Sequence, residues 1–196
     1  MKKLTNLLLT CMVMSATAKA QFGHLKDQNP GFIKAVETIL SDFPYNYKHI
    51  TGQLVEAHGD WHQYASTVTL PGADFCVVGL YHSELDTTAS WQARMFHHED
   101  FKKAKAAYKE LYRQLNQCRL RMVDGSLYYL DGDYEEATEE LDFVTSAFKI
   151  QTADERFREF HVELELLYTL DEWVINVNMV SKKKDNEVRP DWMTGK

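Results

Sequence analysis

One spacing constrains this chain more than any other. Gly52-x-Leu54 followed by Gly59-Asp60-Trp61 returns as Gly125-x-Leu127 followed by Gly132-Asp133-Tyr134, with 73 residues between matched positions (52 and 125, 59 and 132, 61 and 134). A period of that size reads as one supersecondary unit written twice. The residues around each copy say what the unit is.

Ahead of the first copy, Asn29-Pro30 suits a helix start, and Phe32, Ile33, Val36, Ile39, Leu40 and Phe43 recur at steps that share one helical face. Pro44 stops that helix. A strand follows from Ile50 to Val55, then a turn at His58-Gly59-Asp60. Tyr64, Val68 and Leu70 mark a second strand, Phe75 to Tyr81 a third and Trp91 to Phe96 a fourth. Asp100 caps a second helix through Phe101, Ala104, Tyr108, Leu111, Leu115 and Cys118. Beyond the second Gly-Asp turn one stretch fits two periods. Tyr134, Ala137, Leu141, Val144 and Phe148 follow a helix, while Leu141, Phe143, Thr145 and Ala147 follow a strand; setting Val68 against Leu141 and Leu70 against Phe143 selects the strand. Trp91-x-Ala93-x-Met95 has its counterpart in Trp173-x-Ile175-x-Val177 at an offset of 82, so about nine extra residues are expected between the second and fourth strands of the later half.

Neither copy would bury both faces of its own sheet. The expected fold class is therefore α+β: two tandem α-β-β-β-β repeats, residues 21–98 and 99–181, forming an antiparallel sheet with helices packed on one face. Residues 1–20 read as a signal peptide, with Lys2 and Lys3, an apolar stretch from Leu7 to Met14, and Ala18-Lys19-Ala20 for cleavage. Residues 182–196 read as a polar C-terminal tail. The expectation is a secreted or periplasmic soluble protein, and no run of about 18 apolar residues is present to span a membrane.

Composition bears on partners and redox state. Cleavage after Ala20 removes Lys2, Lys3 and Lys19 and no acidic residue, leaving 19 basic against 29 acidic residues and a net charge of −10. That excess repels phosphate, so no nucleic acid is expected as a partner. Cleavage also removes Cys11. Cys76 and Cys118 remain as the pair for one disulfide in an oxidising compartment, the other reading being two buried thiols.

Catalytic signatures are lacking. The chain has no HExxH, no G-x-S-x-G, no phosphate-cradling glycine loop and no CxxC, and no cofactor is expected. Glu56, His58 and His62 around the first turn carry the donor types of a zinc site, and they define the alternative reading, a small periplasmic hydrolase or metal-dependent enzyme. The second copy has Tyr129, Asp131 and Glu135 there, so both imidazoles are lost, and the turn explains the shared Asp60 and Asp133 without a metal. His97 and His98 open the second helix, and Trp91 and Trp173 read as core.

Strand alternation says more. Phe160, Val162, Leu164, Leu166 and Tyr168 alternate with His161, Glu163 and Glu165, as Trp173, Ile175, Val177 and Met179 do with Asn176 and Asn178. With Glu140 and Asp142 from the preceding strand, the second half is expected to turn His161, Glu163, Glu165, Asn176 and Asn178 onto the side no helix covers. The first half offers Thr67, Thr69, Gln92 and Arg94. The reading is a non-enzymatic binding or interaction module using that polar face for a protein or small ligand of basic character, with homodimer formation as a further use. In architecture alone it resembles the secreted β-lactamase inhibitor proteins and the cystatin-like and PepSY-like domains. No motif of theirs is matched, so no residue is carried over, and the resemblance implies only protein binding.

Overall fold

Asn29 starts the first helix by accepting hydrogen bonds from the backbone N–H groups of Gly31 (3.1 Å) and Phe32 (3.3 Å), with Pro30 filling the first turn. The computed structural model describes residues 29–82, 88–122 and 124–181, so the expected signal peptide and polar tail lie outside the described residues. Helix α1 (Pro30–Asp42) buries Phe32, Val36, Ile39 and Leu40, each side chain contributing about 1.5 to 3 kcal/mol of apolar burial. It ends where Pro44 lacks the N–H to continue. There the buried Asp42 carboxylate accepts from the backbone N–H groups of His49 (2.9 Å) and Ile50 (3.2 Å). Those bonds close a turn in which Asn46 and Tyr47 take positive φ, and the Tyr47 hydroxyl donates to the Met179 carbonyl at 2.8 Å.

Four strands follow: β1 (Thr51–His58), β2 (Trp61–Ser66), β3 (Phe75–Tyr81) and β4 (Ala89–His98). Helix α2 (Phe101–Asn116) comes next, capped by Asp100 on Lys102 N–H (2.8 Å) and Lys103 N–H (3.3 Å). Five further strands follow among the described residues: β5 (Arg119–Arg121), β6 (Leu127–Gly132), β7 (Phe143–Ile150), β8 (Phe160–Thr169) and β9 (Glu172–Ser181). All pair antiparallel in one sheet of order β1-β2-β3-β4-β9-β8-β7-β6-β5, so β4 and β9 meet at its centre. Both helices pack on the same side. Phe43, just beyond α1, has its ring 4.5 Å from that of Phe160, and from α2 Phe101 lies 4.9 Å from Trp173, while Tyr108 and Ser146 share a hydroxyl hydrogen bond of 2.7 Å. The molecule is an α+β protein in which one continuous core lies between helices and sheet.

Several expectations shift in detail. Strand β2 stops at Ser66, because the Ser66 hydroxyl bonds both the carbonyl (2.7 Å) and the N–H (3.2 Å) of Val68 and bends the chain before Val68 and Leu70. The later half gains β5, whose Arg121 N–H donates to Glu37 of α1 at 2.7 Å. The matched glycines also differ in role. Gly59 takes φ +55° in a two-residue turn between β1 and β2, whereas Gly132 ends β6, where a Cβ would stand 2.6 Å from the Phe148 ring. After Gly132 the chain runs through residues 133–142 before β7. The extra residues of the later half thus fall between its first two long strands, and Tyr134 packs against Tyr112 of α2 (ring centroids 4.9 Å) instead of starting a strand as Trp61 does.

Candidate functional site

Directly paired residues of a sheet project to the same side, and neighbouring strands lie about 4.8 Å apart, so the register alone assembles the face opposite α1 and α2. Phe75, Arg94, Asn176, Glu165 and Thr145 form one row across β3, β4, β9, β8 and β7. About 7 Å along the strands lies the next: Val77, Gln92, Asn178, Glu163 and Ala147. A third runs Gln63, Gly79, Ser90, Val180, His161 and Lys149.

The centre of this face is polar yet poorly exposed. Glu163 and Asn178 face each other at 8% and 9% exposure, and Gln92 Nε2 donates to Asn178 Oδ1 at 2.9 Å. The Arg94 guanidinium lies 4.8 Å above the centre of the Phe75 ring. Its Nε is buried without a hydrogen-bond partner, as is the Thr145 hydroxyl at the other end of the same row. A buried polar group left unpaired costs about 1 to 3 kcal/mol. Beside the second and third rows is a hollow of about 230 Å³ lined by Trp61, Gln63, Gly79, Gln92, Asn178 and Val180. A Cβ on Gly79 would stand 3.0 Å from Ser90 Oγ and 3.1 Å from Trp61 Nε1, so glycine leaves its floor open. The hollow has room for a side chain, less than the about 300 to 1,000 Å³ of a drug-sized site.

Of the residues expected on this face, the register gathers Glu163, Glu165, Asn176 and Asn178 at its centre and His161 in the third row, where His161 Nδ1 donates to the Glu159 carbonyl at 3.1 Å. Glu140 and Asp142 stand elsewhere. Both are exposed in the connection before β7, and hydrogen bonds from its own backbone N–H and the Thr138 hydroxyl hold the Glu140 carboxyl below the usual carboxylate range. The phase of β7 explains this: Val144, Ser146, Phe148 and Ile150 are buried and Phe143 is 57% exposed, the reverse of the expected strand faces. That reversal brings Thr145 to the open side. The Val144-x-Ser146-x-Phe148-x-Ile150 alternation carried the signal, masked by the serine, which is buried because Tyr108 bonds it.

The hairpin residues separate. His58 pairs with Trp61 and bonds Glu56 (2.6 Å), while His62 pairs with Ala57 and Leu80 and, as the neighbour of Trp61 in the strand, points to the other face. Glu56, His58 and His62 thus do not converge, and among the described residues no group of three or more His, Cys, Asp and Glu is placed to hold a metal ion. Of the two readings of the remaining cysteines, the geometry favours two buried thiols: Cys76 and Cys118 are both free and buried. Cys118 Sγ donates to the Gln114 carbonyl at 3.2 Å, and burial, helped by the Glu37 charge, pushes this thiol up to about 12. Trp91 and Trp173 lie in the core, the Trp91 indole N–H donating to Ser66 Oγ at 2.9 Å. No helix among the described residues is long and apolar enough to cross a membrane. Comparison with protein-family models, curated proteins and solved structures finds no match to this chain.

Proposed function

We propose that the protein is an exported, non-enzymatic binding module that recognises a partner of basic character on the sheet face opposite its two helices, and that its two halves are copies of one α-β-β-β-β unit. The row Phe75, Arg94, Asn176, Glu165 and Thr145 carries the reading: a guanidinium, an amide and a carboxylate lie side by side, with an unpartnered buried polar atom near each end. Supporting the duplication are the order of helix and strands in each half and the pairing of the two final strands, β4 with β9. The small hollow favours a protruding side chain of a protein over a drug-sized molecule. Carboxylates on the face attract cations, and that attraction is screened beyond about 8 to 10 Å at physiological salt.

The test is capture of a partner from the extracytoplasmic fraction of the native cell, with wild type, Glu165→Gln, Arg94→Gln and the remote control Glu155→Gln as baits. Glu165→Gln is expected to retain at most about a tenth of the capture, equivalent to losing about 1.4 kcal/mol, while Arg94→Gln, which removes a charge of the partner's own sign, and the control retain it all. Equal capture by all four places the function elsewhere. Intact-mass analysis of exported protein checks the export half: a chain beginning at Gln21 is expected, and one beginning at Met1 contradicts it.

A further inference from the structure

On the helix side of the sheet, near its outer end, His62, Tyr64 and His82 stand apart from the proposed face. His62 and Tyr64 alternate along β2 on one side. His82 follows β3 and reaches the same surface because His62 pairs with Leu80 and the His82 N–H donates to the Asp60 carbonyl at 2.7 Å. The Tyr64 hydroxyl oxygen lies 3.5 Å from His62 Nδ1 and 3.4 Å from His82 Nε2, and the two imidazole rings are 4.6 Å apart between centroids. Both separations exceed the about 2.7 to 3.2 Å of a well-formed hydrogen bond. They instead match the edge of a ligand tetrahedron: bonds of about 2.0 to 2.1 Å at tetrahedral angles put neighbouring donor atoms about 3.3 to 3.4 Å apart.

We infer that His62 Nδ1, Tyr64 Oη and His82 Nε2 form a binding site for a first-row divalent transition ion, zinc or copper. Two imidazoles suit these ions and not calcium or magnesium, which take oxygen ligands. His62 and Tyr64 are half-buried and His82 is exposed, so an ion held there keeps a side open to solvent and a fourth ligand. Binding requires both imidazoles neutral and transfers the Tyr64 hydroxyl proton to solvent, so apparent affinity rises with pH.

The experiment titrates the full chain, purified without a histidine tag, with Zn²⁺ alone by calorimetry and with Cu²⁺ alone by visible absorption. One ion per chain is expected, and Cu²⁺ should bring a phenolate-to-copper charge-transfer band. His62→Ala and His82→Ala should each weaken binding by about 100-fold, whereas Tyr64→Phe should abolish the band. His58→Ala, on the opposite face, should change nothing. Circular dichroism of each variant confirms folding, and Tyr64→Phe tests the site with the ring retained. Absence of one-to-one binding, a band that survives Tyr64→Phe, or binding lost in His58→Ala and kept in His62→Ala would each overturn the site.

Discussion

Gly132 shows how much a single position can carry. A Cβ there would meet the Phe148 ring at 2.6 Å and the Ala147 carbonyl at 2.7 Å, both parts of the neighbouring strand. Gly132→Ala should therefore cost about 1 to 3 kcal/mol by overpacking, read as a lower urea midpoint at unchanged slope. Charge at buried groups sets the alkaline limit of the fold. Burial pushes the Tyr108 hydroxyl up to about 12, although its bond to Ser146 pulls the other way, and Cys118 reaches about 12 through burial and the Glu37 charge. In the unfolded chain these groups lose their protons near 10 and 9, while the folded chain keeps them. Stability is thus fully present below those values and lost as pH rises toward about 12. Denaturation midpoints measured across pH 8 to 12 should fall steadily, and a flat profile would contradict the burial of both groups. The same burial keeps Cys76 and Cys118 as thiols, so a thiol reagent should find none in native protein within minutes and both after unfolding.

At the scale of elements, the turn after α1 fixes how the first helix enters the sheet. Asp42 holds it through two backbone N–H groups and His49 Nδ1 (2.5 Å). Asp42→Ala leaves those buried N–H groups unpaired and should cost about 2 to 4 kcal/mol in a chemical denaturation experiment, with Asp42→Asn losing less. Much of this level was legible in the sequence. Both helices begin at the expected caps, because the Asn29 and Asp100 side chains accept from the backbone N–H groups of the first turn. Strands β8 and β9 show their faces plainly, since apolar and polar residues alternate from Phe160 to Leu166 and from Ile175 to Met179. What the sequence obscured has particular causes. The equal spacing of Gly59 and Gly132 suggested equal roles, yet one serves a turn and the other a close approach of strands. Phe143 and Leu141 looked like core because hydrophobicity does not reveal which side a helix covers, and both stand more than 49% exposed. The Tyr64 and His82 pairing was hidden because it depends on the register of β2 with β3.

For the whole molecule, the seam between β4 and β9 decides whether there is one body or two. It pairs Ser90 with Val180 at one end and His98 with Trp173 at the other, and Tyr47 and Glu37 add bonds from the first half to the second. Hydrogen exchange should accordingly be slowest in β4, β8 and β9 and fastest in the outer strands β1 and β5. The seam also makes the proposed face, since Gln92 and Arg94 come from one half and Asn176, Asn178, Glu163 and Glu165 from the other. Only joining the halves completes the rows. The most direct measurement of that claim is an amide chemical-shift titration of the folded protein with a penta-lysine peptide at low salt, repeated at high salt. The account predicts shifts centred on Glu163, Glu165, Asn176 and Asn178 that shrink with salt and are lost in Glu165→Gln. Shifts centred on α1 and α2, or the same shifts in Glu165→Gln as in wild type, would contradict it.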